Sequence, residues 1–326
     1  MRIGRLLYFI TLALVFFNAV GCRQKSGPVI AVIPKSQAHL FWQAVHAGTV
    51  AAAGEAEVEI IWNAPSTETD YARQVAIVDD MIQRRVDAIL LAPTDRDALV
   101  PAIERAGKAG IPLTIFDSGA NTEAYVSFVA TDNYQGGVRG ARRLAEILKE
   151  KGEVAMIGVT PGSASTLDRE NGFRETLEKE FPELQLVAFQ FGMSDRARSL
   201  AVAEDFLTAH PDLDGIFASN ESGTLGAAQA VKARGLAGKV KVVGFDTSPS
   251  LVEDLQAGVI DALVLQDPFQ MGYLALGTLL RHLQGEIPSR RINLTPALAT
   301  AANLEEGDIV RLLDPESQIK LFLTAP

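Results

Sequence analysis

The stretch Ala88–Asp117, A-I-L-L-A-P-T-D-R-D-A-L-V-P-A-I-E-R-A-G-K-A-G-I-P-L-T-I-F-D, decides the fold class. It begins with the apolar run Ala88–Ala92, continues through the helix-period segment Asp97–Ala109, and returns after Gly110 to a second apolar run, Pro112–Phe116. Nearly continuous apolar runs of this length are typical of strands buried on both faces of a parallel sheet. The amphipathic segment between them predicts a crossover helix, so the stretch forms one βαβ unit.

The same alternation extends in both directions from this unit and predicts a doubly wound α/β protein with right-handed crossovers. Ten or more strands are too many for one compact sheet of this type, so we expect two Rossmann-like lobes with parallel sheets. No Gly/Ser-rich linker separates them, which predicts short crossings between the lobes. The other apolar runs are Val29–Ile33, Val58–Trp62, Val126–Ala130, Val154–Val159, Gln185–Phe191, Gly215–Ala218, Val240–Phe245 and Ile260–Leu265.

Length and composition agree with two lobes and exclude several classes of protein. The chain has 326 residues, of which 48% are hydrophobic, and a chain of this length is expected to form roughly two domains. It carries 30 Lys and Arg against 40 Asp and Glu, a formal net charge of −10, which argues against a nucleic-acid partner. A single cysteine forms no internal disulfide and no zinc site.

The N-terminal segment has the pattern of a secretory leader. Residues 1–21 combine two arginines with an apolar run that is too short to span a bilayer, which predicts a signal peptide. The leader ends in Ala19-Val20-Gly21-Cys22, which resembles the lipobox of bacterial lipoproteins and implies lipidation of Cys22. Residues 22–28 would then form a lipidated tether. The alternative is an ordinary signal peptide followed by an incidental cysteine.

A series of short motifs carries a resemblance to a known family. The chain resembles the periplasmic sugar-binding proteins of ABC transporters, in the ribose-binding-like group that shares its fold with the sensor lobes of LacI-type repressors. The motifs occur in one order and at family spacing along most of residues 29–295. They are Phe41-Trp42, Pro93-Thr94-Asp95-Arg96-Asp97-Ala98, Ile111-Pro112, Phe116-Asp117, Thr131-Asp132-Asn133, Gly136-Gly137, Arg169-Glu170-Asn171-Gly172-Phe173, Ala209-His210-Pro211-Asp212, Phe217-Ala218-Ser219-Asn220, Val243-Gly244-Phe245-Asp246 and Leu265-Gln266-Asp267.

The resemblance implies two similar lobes joined by a three-crossing hinge, with the ligand held between them. By the family pattern, the N-terminal lobe is 29–130 plus 267–295, and the C-terminal lobe is 131–266 plus 296–326. The tail 296–326 is longer than in the small ribose binders, and its segment Leu304–Leu313 has the pattern of a surface helix.

The polar ligand candidates follow predicted strands, where an α/β fold places its binding site. Carboxylate, amide and guanidinium groups each accept or donate hydrogen bonds to the hydroxyls of a sugar, and aromatic rings cover its C–H faces. The residues that match the family's ligands are Phe41, Trp42, Asp117, Arg169, Asn220, Asp246 and Gln266.

Each candidate also has a structural alternative. Strand-end Asp and Asn residues frequently cap helices or form turns, Gln266 suits hinge packing, and one of the two adjacent aromatic residues suits the core. Three further positions depart from the ribose binders. His39 stands in place of an Asn, Ser118 in place of an Arg, and Ser194 in place of an aromatic residue. They remain candidate ligand contacts, and the changes favour a larger or differently oriented sugar than ribose.

Other function classes lack their motifs. Four histidines occur without metal-site spacing, and no nucleophile elbow, P-loop or dinucleotide fingerprint is present, so we expect no enzyme, cofactor or metal. A LacI-type repressor is excluded by the leader and the acidic charge.

The sequence therefore predicts a membrane-anchored extracytoplasmic lipoprotein. It would act as a monomer, bind a monosaccharide or similar polyhydroxy ligand, and deliver it to an ABC transporter permease. The alternatives are a receptor domain for signalling or chemotaxis, or binding of a nucleoside, polyol or autoinducer sugar.

Overall fold

The structure is a computed structural model that describes residues 27–37 and 39–323. The predicted leader 1–21, the lipidation site Cys22 and the tether up to residue 26 lie outside the described residues. Within the part that is described, no helix is both long enough and apolar enough to cross a membrane.

The chain forms most of the first lobe, then most of the second lobe, and its C-terminal part adds elements to both. The first pass contains β1 (Val29–Ile33), α1 (Leu40–Ala56), β2 (Glu59–Trp62), α2 (Tyr71–Arg84), β3 (Ala88–Leu91), α3 (Val100–Lys108), β4 (Leu113–Phe116) and β5 (Phe128–Thr131). The second contains α4 (Asn133–Leu148), β6 (Gly152–Gly158), α5 (Ala164–Glu180), β7 (Leu184–Phe191), α6 (Arg196–Ala209), β8 (Gly215–Ala218), α7 (Glu221–Ala233), β9 (Lys241–Phe245), α8 (Pro249–Gln256) and β10 (Ala262–Leu265). The C-terminal part contains α9 (Pro268–Leu283), β11 (Arg291–Leu294), β12 (Ala297–Ala299), α10 (Gly307–Leu313) and α11 (Pro315–Leu323).

The strands form two six-stranded sheets with matching orders. The first sheet runs β11-β5-β4-β3-β1-β2, and the second runs β12-β10-β9-β8-β6-β7. The recorded pairings are parallel except that β12 is antiparallel to β10. The chain passes between the sheets at three places, after β5, after β10 and between β11 and β12. The predicted α/β architecture of two lobes with a three-crossing hinge is confirmed.

Helices cover both faces of each sheet, which explains why inner strands such as β1, β3, β8 and β10 are apolar. On the first sheet, α1 and α9 pack on one face and α2 and α3 on the other. On the second sheet, α4 and α5 pack on one face and α6, α7 and α8 on the other. Gly48 lets α1 approach α9 closely, because a Cβ there would lie only 2.0 Å from the Phe269 carbonyl oxygen.

Side chains fix where the helices begin, and so they fix the turns that line the interlobe cleft. Asp70, Asp132, Asp195, Asn220 and Asp267 each accept a hydrogen bond from a backbone N–H in the first turn of the following helix. Such caps satisfy donors that the helix itself leaves free. Asn220 therefore caps a helix, and it remains a candidate ligand contact.

The tail contacts both lobes. Ile309 of α10 is buried in the core of the second lobe, and Arg311 pairs with Asp267 at 2.7 Å. After one intervening residue, α11 packs against α1 of the first lobe, where Ile319 covers the small side chains of Ala44 and Ala47. The assignment of 296–326 to the second lobe stays a prediction, and the contact of α11 with the first lobe adds to it. That contact buries the small apolar residues on the outer face of α1.

Candidate functional site

The carboxyl ends of the two sheets face each other across a cleft between the lobes. This is the edge at which parallel α/β sheets bind ligands. The cleft holds about 370 Å³ of free space, including its mouth. It is lined by Lys35, His39, Phe41, Trp42, Glu68, Asp117, Ser165, Thr166, Arg169, Asn220, Glu221 and Asp246.

Two predicted ligand residues, Asp117 and Asp246, occupy equivalent positions in the two lobes. Asp117 follows β4 and Asp246 follows β9, and each strand is third in its sheet. Both residues have left-handed backbone conformations, with φ of 59° and 70°. Aspartate tolerates this conformation better than most residues, and strained positions of this kind cluster at binding sites. The turns direct one carboxylate from each lobe into the cleft.

Lys35 links the first carboxylate to the opposite lobe. Its Nζ lies 3.0 Å from Asp117 Oδ2, and both side chains are 4% exposed. The same Nζ donates hydrogen bonds to the Ser163 and Ser165 hydroxyls of the second lobe, at 3.2 and 3.0 Å. A buried carboxylate needs such a partner, because an uncompensated charge is costly away from water. Lys35 therefore neutralises Asp117 and joins the two sides of the cleft.

Arg169 supplies the buried positive charge on the second side. It is 3% exposed, and its guanidinium donates to Asn133 Oδ1 at 2.8 Å and to the Ser219 carbonyl at 2.9 Å. Its Cζ lies 4.3 Å from the centroid of the Phe245 ring, within the range of a cation–π contact. Asn133 begins the helix after the first crossing, so its hydrogen bond with Arg169 connects the cleft lining to the hinge.

The carboxylate of Asp246 organises the polar end of the second lobe. Its Oδ1 accepts from Gln266 Nε2 at 2.7 Å, and its Oδ2 accepts from the backbone N–H of Glu221 at 3.0 Å. Burial raises the pKa of Asp246, while the charge of Arg169 opposes that rise. Gln266 borders the adjoining wall beside Phe41 rather than the cleft itself, which fits the hinge-packing alternative.

His39 faces three carboxylates. Its Nδ1 lies 3.5 Å from Glu221 Oε2, an ion-pair distance between the two lobes. Burial lowers the pKa of His39, but the pairing with Glu221 and the negative charges of Glu68 and Asp246 outweigh burial and raise that pKa from 6.5 to about 9. At neutral pH the imidazole is therefore protonated and stabilises the closed arrangement of the lobes.

Phe41 and Trp42 both line the cleft, and Trp42 is also part of the core. Trp42 is 2% exposed and meets Phe41 and Phe116 edge to face, with ring centroids 4.9 and 6.3 Å away. Its indole N–H donates to Glu68 Oε1 at 2.7 Å.

The remaining candidates are Asn220, Ser194 and Ser118. Asn220 lines the cleft and donates from Nδ2 to Ser194 Oγ at 3.1 Å. Ser194 lies behind Asn220, in the wall of an adjoining outer groove. Ser118 is fully buried, and its Oγ accepts from the Ser165 backbone N–H of the other lobe at 3.1 Å. Neither serine belongs to the cleft lining, so the structure places both next to the site.

Sequence reasoning missed five lining residues, Lys35, Glu68, Ser165, Thr166 and Glu221. Lys35 follows β1 by two residues, and Glu221 directly follows Asn220. The rule that carboxyl strand ends carry the site could have found both. Glu68 lies in the longer loop before α2, where strand-end spacing gives no signal.

Comparison with known proteins identifies the fold family. A profile described as a periplasmic binding protein domain matches residues 30–287. The chain belongs to the periplasmic binding protein family. It is 33% identical over 279 residues to a D-ribose/D-allose-binding protein of Pseudomonas aeruginosa, covering 83% of this chain and 87% of that protein. It is 34% identical over 257 residues to the D-allose-binding periplasmic protein of Escherichia coli, covering 76% and 81%.

Solved structures of this family agree with the predicted architecture. A carbohydrate transporter solute-binding protein from Agrobacterium radiobacter, in complex with D-arabinose, superposes with a TM-score of 0.87 at 33% identity, covering 89% of this chain and 100% of that one. A periplasmic solute-binding protein of an ABC transporter from Actinobacillus succinogenes, with bound D-allose, superposes with a TM-score of 0.80 at 29% identity, covering 86% and 100%. The predicted resemblance to sugar-binding proteins of ABC transporters is confirmed. The relatives support transport-linked sugar binding rather than the signalling alternative.

Proposed function

We propose that this periplasmic binding protein holds a neutral monosaccharide between its lobes for uptake by an ABC transporter permease. The observation that carries the proposal is the convergence in one cleft of Asp117, Asp246, Arg169 and Asn220 with the rings of Phe41 and Trp42. These groups match the alternating donors, acceptors and C–H faces of a sugar. As in its relatives, we assign the chain a binding role and no catalytic role.

The balance of charges in the cleft favours a neutral ligand. Three cationic side chains line it, Lys35, His39 and Arg169, against four carboxyl groups, Glu68, Asp117, Glu221 and Asp246. Lys35 and His39 already pair with carboxylates, and burial shifts Asp246 toward its neutral form. The third cation, Arg169, already donates to the Asn133 side chain and the Ser219 carbonyl. Polyhydroxy ligands without charge fit this balance best.

Sugar release and capture would follow from hinge motion about the three crossings. The described lobes are in contact through Lys35 with Ser163 and Ser165, and through the Arg96 N–H and the Gly162 carbonyl at 2.8 Å. A ligand that touches both lobes stabilises this closed arrangement, because only closure completes its contacts. The closed form would then be the one that a permease recognises.

A thermal-shift series against D-ribose, D-allose, D-arabinose and D-fucose tests sugar binding. A ligand at about 100 times its Kd stabilises the native state by about 2.7 kcal/mol, which raises the Tm of a protein of this size by several degrees. We expect at least one of these sugars to produce such a shift. Charged amino acids serve as negative controls. If none of the sugars shifts the Tm while an amino acid does, the proposal of sugar binding is wrong.

We further propose that the protein is a monomer outside the cytoplasm, held at the membrane by a lipid on Cys22. The support is the leader pattern of residues 1–21 and the lipobox-like sequence before Cys22. A Cys22→Ser variant is expected to move from the membrane fraction to the soluble fraction when cells are fractionated. Membrane retention equal to that of the unaltered protein would exclude the anchor.

A further inference from the structure

Glu68 forms part of the wall between the cleft and the outer groove. It lies in the loop between β2 and α2, and it lines both spaces, as His39 does. The outer groove continues from this wall to Ser194 and Ser222 of the second lobe. Glu68 is therefore a first-lobe residue positioned where the second lobe closes against it.

Both carboxylate oxygens of Glu68 are engaged by side chains that matter for the cleft. Oε1 accepts from the indole N–H of Trp42 at 2.7 Å, and Oε2 accepts from the Ser194 hydroxyl of the opposite lobe at 2.9 Å. Ser194 in turn accepts from Asn220 Nδ2 at 3.1 Å. A continuous chain of hydrogen bonds therefore runs from Trp42 in one lobe to Asn220, a residue predicted to contact the sugar, in the other.

We propose that Glu68 is a positioning residue for sugar binding, which fixes the indole plane of Trp42 and links that orientation to lobe closure through Ser194. The proposal rests on the proposed sugar-binding function. It assigns to Glu68 a role in selecting the ligand, because the plane of the ring decides which C–H face of a sugar it covers.

The contacts explain why a carboxylate is suited to this position. Trp42 is 2% exposed, so without Glu68 its N–H would be left buried and unpaired, which is unfavourable. The edge-to-face contacts with Phe41 and Phe116 keep the ring buried but offer no acceptor. Burial raises the pKa of Glu68, whereas the charges of His39 and Lys35 and the bonds from Trp42 and Ser194 outweigh it and lower that pKa. Glu68 thus stays an ionised acceptor.

Ser194, which differs from the residue type that the resemblance implies, bonds to Glu68. The resemblance implies an aromatic residue there, and an aromatic ring without a polar atom has no donor for a carboxylate. In this chain the second lobe offers a hydroxyl to Glu68 instead. The link between Glu68 and Ser194 exists only when the lobes are together, so it contributes to the closed state alone.

Tryptophan fluorescence tests the proposal directly. The chain has two tryptophans, Trp42 and Trp62, so a Trp62→Phe background leaves Trp42 as the sole reporter. In this background we compare Glu68→Ala, Glu68→Gln and Ser194→Ala, with Glu55→Ala as the control. Glu55 is an exposed carboxylate of the same lobe that accepts from the Tyr273 hydroxyl. For each variant we measure the Trp42 emission, its change on adding sugar, and the Kd.

We expect Glu68→Ala to shift the Trp42 emission without ligand and to weaken sugar binding about tenfold, with altered relative affinities among sugars. Glu68→Gln keeps an acceptor for the indole, and its Kd should stay within about threefold. Ser194→Ala should leave the ligand-free emission unchanged, weaken binding, and add nothing to Glu68→Ala in the double variant.

Wild-type emission and affinity in Glu68→Ala would overturn the proposal, as would equal and additive effects of the two alanine substitutions. If Glu68→Ala does not fold, the Kd values of Ser194→Ala and Glu68→Gln still test the proposal. The ligand-free emission reports the Glu68–Trp42 contact even if no sugar binds. Failure of the proposed function is therefore distinguishable from failure of this inference.

Discussion

Replacement of Arg169 by methionine is expected to weaken sugar binding about 100-fold, a loss of about 3 kcal/mol. Methionine has similar reach but no donors, so Asn133 Oδ1 and the Ser219 carbonyl lose their partner. The positive charge that opposes the rise in the pKa of Asp246 also disappears, so that pKa rises further and the charged acceptor is weakened. Titration calorimetry with the sugar identified by thermal shift measures the loss.

A second arginine on the same helix provides the control. Arg174 also lies over an aromatic ring, that of Phe189 at 5.4 Å, but it does not line the cleft. Arg174→Met should leave the Kd within about twofold, because Arg174 lies outside the cleft lining. It is a matched control, since both substitutions remove a positive charge and a cation–π contact. Circular dichroism confirms that both variants fold. An Arg169→Met protein that binds sugar as tightly as the Arg174→Met protein would remove Arg169 from the site.

Much of the fold could be predicted because burial on two faces leaves an unmistakable pattern. Strand β3 is apolar at every position and β4 at all but Thr114, and the intervening helix is followed by Gly110 in a left-handed conformation. The helix α3 begins later than expected, at Val100 rather than Asp97. The cause is that the side chain of Asp95 accepts from the N–H groups of Asp97 and Ala98 and holds a turn there.

The positions of some site residues follow from the sheet topology, and the positions of others depend on the conformation of a loop. Asp117, Asp246 and Asn220 could be placed in advance, because the carboxyl ends of parallel strands must meet at one edge. Glu68 could not, since the path of its loop depends on contacts with Trp42 and Ser194 that are distant in sequence. The docking of α11 on α1 escaped for the same reason. Many apolar residues of the sequence could pack against Ile319, and only the fold shows that Ala44 and Ala47 do so.

The stability of the protein should decrease as the pH rises from about 6.5 to 9, because His39 loses its proton in that range. The pKa of His39 is raised from 6.5 to about 9 in the folded protein. A group whose folded pKa is raised contributes its full stabilisation below 6.5 and loses it as the pH passes through 9. Its side chain is 22% exposed, and the shift corresponds to about 3 kcal/mol. Urea unfolding of wild type and His39→Asn at several pH values measures the difference.

Sugar binding should be coupled to proton uptake by His39, because its partner Glu221 lies on the opposite lobe. His39 faces Glu221 at 3.5 Å across the cleft, with Glu68 and Asp246 as further negative neighbours, so opening the lobes removes most of what keeps it protonated. Calorimetry at pH 8 in buffers of different ionisation enthalpy should therefore show uptake of a fraction of a proton on binding. The His39→Asn variant should show none, whereas His282→Asn, at the end of α9, should behave as wild type. Equal proton uptake by wild type and His39→Asn would mean that the histidine does not take part in closure, and the pH dependence would have to arise from another group.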